Sequence, residues 1–212
     1  IGKIVYAEME LSMYREEVKW KHKMNAGGGI LRELGQHFLD VASNWFGVPV
    51  CVSGFNKVVL PQRETEDVAV NLVQYDSGTM LLLKNNYFEH AHNTYRGSLY
   101  GLKGQINFEL SSYDTEVRKV VVYQNPDRCY QVQIDLPEEG NFVYPGHLDT
   151  FQREIDCFVE NVLSGRKSMA SIVRECQCIS TVCGAYLSAG KKAVQLPISS
   201  FSSQDLPSLY LT

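Results

Sequence analysis

The sequence predicts an α+β fold, a large, mostly antiparallel open β-sheet with helices packed on one face. Apolar and polar residues alternate in a run of segments through the middle of the chain, the period of a half-buried strand. Short turns join those segments with no helix between them, which argues for antiparallel neighbours. Stretches with helical spacing stand before and after the run, so helices and sheet are segregated along the chain.

Residues 3–14 open the chain as a strand, with Glu8, Glu10, Ser12 and Tyr14 on one side and Val5, Ala7, Met9, Leu11 and Met13 on the other. A polar, loop-like segment from Arg15 to Gly29 follows, holding Trp20 and the triplet Gly27-Gly28-Gly29. ILRELGQHFLDVASNWFG then reads as an amphipathic helix. At about 100° per residue, Ile30, Leu31, Leu34, Phe38, Val41, Ala42 and Trp45 share one arc. Gly47 and Pro49 end it. DVAVNLVQY and TMLLLKNNYF flank Asp76-Ser77-Gly78, and TYRGSLYGL and QINFEL flank Lys103-Gly104, two hairpin signals. EVRKVVVYQ and CYQVQIDL continue the run around Asn125-Pro126-Asp127. Leu148, Phe151, Ile155, Phe158 and Val162 then fall at helical spacing before Gly165. A second helix runs from a cap near Ser168 to about Ala189, and VQLP forms a short strand. The reading is one domain over residues 1–212, without repeats or an internal linker.

Hydrophobic residues at 44% and charged residues at 21% exclude disordered and fibrous classes. A net charge of −4 and the lack of Lys/Arg runs predict no nucleic-acid partner and no pull toward anionic membranes. No apolar stretch approaches the roughly 18–20 residues of a membrane span. The start has no secretory signal and no initiator Met, and it lies inside a strand, which suggests a chain cut from something longer. The six cysteines form no CxxC pair, and buried free thiols in a reducing cytoplasm are the expectation.

Chemistry concentrates on the first helix. Glu33, His37, Asp40 and Asn44 fall within about 60° of one another beside the apolar arc. Glu33 and His37, at i and i+4, are spaced to touch, so a carboxylate there could orient an imidazole for proton transfer. The same spacing also suits a plain polar edge on a half-buried helix. The triple glycine before the helix allows a ligand close to free helix N–H groups, or simply a pliant loop. It is not a dinucleotide fingerprint, because Arg32 stands where GxGxxG needs its third glycine. His90 and His92 share a strand face but have no third ligand at convincing spacing, so no metal is expected.

Together these features have an order. GGGILRELGQHFLDVASNWFGVP resembles the GGG-x-L-x-D-x-G-x-H-x-x-D-x-x-x-x-x-x-G-x-P segment of the glucose–fructose oxidoreductase and inositol dehydrogenase (Gfo/Idh/MocA) family. The opening GKI strand, Trp20, DVAVNLVQYDSG, YRGSLYGLKG, Phe151 and Phe158 and the closing LSAGKKAVQLP fit the same pattern. The resemblance implies the C-terminal, substrate-binding and oligomerisation half of a two-domain NAD(P)-dependent dehydrogenase. The nucleotide half, with its GxGxxG loop and Glu-Lys-Pro lysine, would be absent, since no proline here follows a lysine. The resemblance makes His37 the catalytic acid–base residue and Glu33, where the family usually has Asp, its companion. It places Glu10 and Ser12 against substrate hydroxyls, with Trp20, Asp40, Tyr144 and His147 as further substrate candidates, and Gly28 and Gly29 nearest the cofactor. NAD or NADP would be bound mainly by the absent half, the substrate would be a sugar, cyclitol or related alcohol or ketone, and the oligomer a homodimer or homotetramer. Other readings are a non-catalytic sensor or assembly module that keeps the fold, or a metal hydrolase built on His37 and Asp40.

Overall fold

The computed structural model describes residues 1–15, 20–90, 94–111, 118–124, 128–132, 147–166 and 172–198. The strands are β1 (Ile4–Ser12), β2 (Pro49–Lys57), β3 (Val68–Tyr75), β4 (Met80–Asn86), β5 (Thr94–Gly101), β6 (Gly104–Ser111), β7 (Arg118–Tyr123), β8 (Cys129–Val132) and β9 (Leu196–Pro197). They form one nine-stranded sheet in the order β8-β7-β6-β5-β1-β4-β3-β2-β9. Every neighbouring pair is antiparallel except β1 with β4. The meander β2-β3-β4 returns to one side of β1 and the meander β5 to β8 departs from the other. The opening strand therefore lies at the centre of the sheet. Among the described residues three α-helices accompany the sheet: α1 (Gln36–Phe46), α2 (His147–Ser164) and α3 (Ile172–Gly190).

Register sorts the strand residues into two faces. Ala7 pairs with Leu81 and Leu99, and Met9 with Leu83 and Gly97, so this set shares the face that meets α1 and α3. Ala7, Met9, Leu11, Leu81, Leu83, Val52 and Val73 are completely buried there. Full burial of each larger aliphatic side chain contributes about 1.5–3 kcal/mol. The alternate residues look outward. On β2, β3 and β4 they include a group of apolar residues, with Phe55 67%, Leu72 43% and Met80 44% exposed. Across β1, β5, β6 and β7 they are charged and polar, lining a shallow cavity of about 330 Å³ with Glu8, Glu10, Arg96, Asn107 and Lys119.

Strand β2 is an element that the alternation does not announce, because Ser53, Gly54 and Asn56 look like a turn. Packing explains the glycine. A Cβ on Gly54 would stand 2.7 Å from the Ala185 carbonyl oxygen, so only glycine lets α3 lie against the strand. The Gly54 N–H donates to the Ser188 hydroxyl of α3 at 3.0 Å. Helix α2 differs from the expectation of helices on the sheet, because its apolar stripe is open, with Ile155 56%, Phe158 65% and Val162 63% exposed. All six cysteines are free, but only Cys178 and Cys183 are buried, which corrects the expectation of buried thiols. Among the described residues no helix is long and apolar enough to cross a membrane.

Candidate functional site

The first helix does not begin as a regular α-helix. Leu31–Gly35 form a π turn that leads directly into α1. A Cβ on Gly35 would stand 2.8 Å from the Asn85 amide oxygen, so glycine lets this turn press against β4. In a π turn the residue overhead is i+5 rather than i+4. The buried face downstream is therefore rotated from the expected arc. Leu39 and Phe46 are buried, while Trp45 is 48% exposed.

The entry to this turn is fixed by Glu66. Its side chain accepts from the Leu31 N–H at 3.0 Å and the Tyr186 hydroxyl at 2.7 Å. Its carbonyl accepts from the Ile30 N–H at 3.3 Å. Burial pushes the Glu66 carboxyl up to about 7, outweighing those hydrogen bonds and the Arg32 charge, which pull the other way. Gly29, at φ +115°, leaves the space this carboxyl occupies; a Cβ there would stand 2.6 Å from both its oxygens. Gly28 leaves no room either, since a Cβ would stand 2.3 Å from the Lys21 carbonyl oxygen. The Gly28 and Gly29 N–H groups donate at 2.9 Å to the carbonyls of Lys23 and Lys21. Both glycines thus have a packing reason, and neither offers a free N–H to a phosphate.

Glu33 projects from the π turn into a cluster that no single stretch of sequence foreshadows. Its carboxylate is 10% exposed, accepts from the Tyr87 hydroxyl, and pairs with Lys21 and with Arg15 at 3.1 Å. Burial, with the nearby Glu66 charge, pushes the Tyr87 hydroxyl well above its ordinary value. Burial and the Arg15 charge lower Lys21. Arg15 is held through its backbone: its N–H donates to the Tyr87 carbonyl at 3.2 Å, and its carbonyl accepts from Arg63 at 2.6 Å. Arg63 in turn pairs with the buried Asp67 and stands 5.6 Å from the Tyr87 ring. Arg15, Lys21 and Tyr87 were not legible as site residues. The first two lie in a segment that reads as loop, and Tyr87 stands directly after β4, inside a segment that reads as plain strand.

His37 lies one turn beyond Glu33, exposed, and makes no hydrogen bond among the described residues. The expected Glu33–His37 contact is replaced by the Arg15, Lys21 and Tyr87 contacts, as the widened turn requires. Asp40 leaves the expected line too: it pairs at 2.8 Å with Arg174 of α3, which also reaches Asn44 at 3.3 Å. Trp20 is 52% exposed, with the Lys21 ammonium 5.3 Å from its ring. Glu10 and Ser12 are buried on the other face of the sheet, away from α1. Arg96 donates twice to Glu10, at 3.0 and 3.1 Å, and the Ser12 hydroxyl accepts from the Asn86 side chain at 2.9 Å. His90 packs against Tyr14, the rings tilted by 33° with centroids 4.2 Å apart. His147 is the first residue of α2; its side chain, Tyr144 and His92 lie outside the described residues.

The profile of the GFO/IDH/MocA C-terminal domain matches residues 1–107, half of the chain. The chain belongs to this family. An uncharacterised oxidoreductase, YdgJ of Escherichia coli (strain K12), is 29% identical over 115 residues, which are 50% of this chain and 33% of that protein. Levoglucosan dehydrogenase in complex with NADH and levoglucosan superposes with a TM-score of 0.80 at 18% identity, covering 95% of this chain and 60% of that one. An oxidoreductase from Agrobacterium radiobacter, in complex with NAD+, L-tartaric acid and magnesium, gives 0.76 at 18% identity, covering 94% and 58%. The chain spans about a third of its curated relative and under two thirds of these structures.

Proposed function

We propose that the chain is the substrate-binding and oligomerisation part of an NAD(P)-dependent oxidoreductase that acts on a sugar, cyclitol or related alcohol or ketone. The observation that supports the reading is an exposed His37 one turn after the Glu33 cluster, at the positions resembling the family's D-x-G-x-H. A nicotinamide cofactor, held by another part of a longer protein, supplies the hydride acceptor. This chain supplies orientation and the proton. Losing a hydride from a carbinol carbon leaves a proton on its oxygen that a base must take. His37 is that base, with an imidazole open to a ligand. Glu33, kept in place by Tyr87, Arg15 and Lys21, sets the charge beside it. Trp20 offers an exposed ring at the rim, the kind of flat apolar surface that covers a sugar face.

The reading includes a homodimer or homotetramer, since the apolar outer face around Phe55, Leu72 and Met80 is of a kind that monomers rarely leave uncovered. It also includes a cytoplasmic location. A second reading, a non-catalytic sensor or assembly module, draws on the engagement of Glu33 by two cations instead of by His37. Substrate turnover decides between them. The longer protein should reduce NAD+ or NADP+ with at least one polyol or sugar, while the 212-residue chain should bind neither NADH nor NADPH below about millimolar. Micromolar binding by this chain, or no turnover by the longer protein, would contradict the proposal.

A further inference from the structure

The π turn at Leu31–Gly35 holds one residue more than an α-helical turn. Such a turn is rarer and less favourable than its α counterpart, so its surroundings must hold it. Packing fixes the downstream end, since Phe38, Leu39 and Ala42 of α1 are buried in the core. One residue fixes the upstream end. Glu66, itself buried, takes the Ile30 N–H on its main-chain carbonyl and the Leu31 N–H on its carboxyl. The same carboxyl oxygen accepts from Tyr186 at 2.7 Å, so α3 steadies the clamp. Gly29, at φ +115°, brings the chain in against that carboxyl. Between the two ends the Gln36 N–H reaches back five residues to the Leu31 carbonyl.

We propose that Glu66 is a positioning residue of the candidate site, whose grip on Leu31 selects the π register over the α register for the turn that bears Glu33. Register decides which neighbour Glu33 has. In the π register Glu33 meets Tyr87, Arg15 and Lys21, and the His37 imidazole stays open. Release of Leu31 lets the extra residue run out of the turn. The residues before it then swing by one step of the helix, about 100°. Glu33 leaves its cluster and, as an ordinary i, i+4 neighbour, closes on His37. Glu66 thus acts on the imidazole through the backbone, without touching it. The inference rests on the oxidoreductase reading only in taking the open imidazole as the working one; the choice of register stands on the geometry.

NMR on this chain, through side-chain NOEs from Glu33 to Tyr87 and to His37, reads the register without cofactor or substrate. The parent should show the Glu33–Tyr87 contact and no Glu33–His37 contact. Glu66→Leu fills the space but offers Leu31 no acceptor, and should exchange the first contact for the second. Glu66→Gln keeps the acceptor and should keep the parent pattern. In the longer oxidoreductase Glu66→Leu should lower turnover about 10²-fold, the scale of an ångström's misplacement, while Glu66→Gln stays close to the parent. If Glu66→Leu does not fold, Tyr186→Phe removes one of the two donors on the same oxygen and should show both contacts together. A Glu33–Tyr87 contact that survives unchanged in Glu66→Leu, or stands alone in Tyr186→Phe when that chain must decide, would overturn the inference. So would a Glu66→Gln chain that behaves like Glu66→Leu, or full turnover by Glu66→Leu. A longer protein without any turnover would sink the oxidoreductase reading alone, because the contacts are read without it.

Discussion

Replacing Glu66 by Gln should change how the stability of the chain depends on pH. The Glu66 carboxyl is buried against Gly29, the Leu31 N–H and the Tyr186 hydroxyl, and burial raises it from its ordinary 4.5 to about 7. The folded state therefore holds this proton more tightly than the unfolded state. Its stabilising contribution is complete below about pH 4.5 and is lost as pH rises through about 7. At 1.36 kcal/mol per tenfold change in proton affinity, the loss amounts to about 3 kcal/mol. Glutamine keeps an acceptor for Leu31 and Tyr186 but carries no proton to lose. Urea unfolding of both proteins from pH 4.5 to 8 measures the effect, and every other titrating group cancels in the difference. Glu66→Gln should gain about 3 kcal/mol on the parent across that range. Parallel pH profiles would refute the claim that this carboxyl is forced to ionise in a dry site.

Gly28→Ala should destabilise the chain by about 1–3 kcal/mol, because its Cβ would strike the Lys21 backbone carbonyl 2.3 Å away; a melting curve unchanged from the parent would contradict the packing role. Phe55→Glu with Leu72→Lys should convert the proposed homo-oligomer into a folded 24 kDa monomer by light scattering. An oligomer that persists would place the interface elsewhere.

Much of the architecture was legible because it rests on local patterns. The alternation in VAVNLVQY and MLLLKNN names both faces of β3 and β4, and the turn at Asp76-Ser77-Gly78 names their pairing. β2 was hidden because its Gly54 answers to α3, more than a hundred residues away in sequence. The parallel contact of β1 with β4 was hidden for the same reason, since no local period records which strand a chain returns to. At the site, Glu33 and His37 stood out by spacing and resemblance, but spacing assumed an α-helix. The π turn at Leu31–Gly35 undoes their contact and gives Glu33 to Arg15, Lys21 and Tyr87, while Asp40 and Asn44 turn to Arg174. Glu10 and Ser12 were read as site residues from the alignment of β1, yet the sheet lies between them and α1.

The central claim is that His37 exchanges the substrate proton, and one comparison tests it most directly. In the longer oxidoreductase we propose, steady-state turnover and cofactor affinity are measured side by side for the parent and His37→Ala. Turnover should fall by about 10²–10⁴-fold, the usual loss for a positioned acid–base group, with the affinity for NAD(P)H unchanged. Glu33→Gln should lower turnover in the same direction but less. A His37→Ala enzyme that turns over as fast as the parent would contradict the account and leave His37 as an exposed residue on a helix edge.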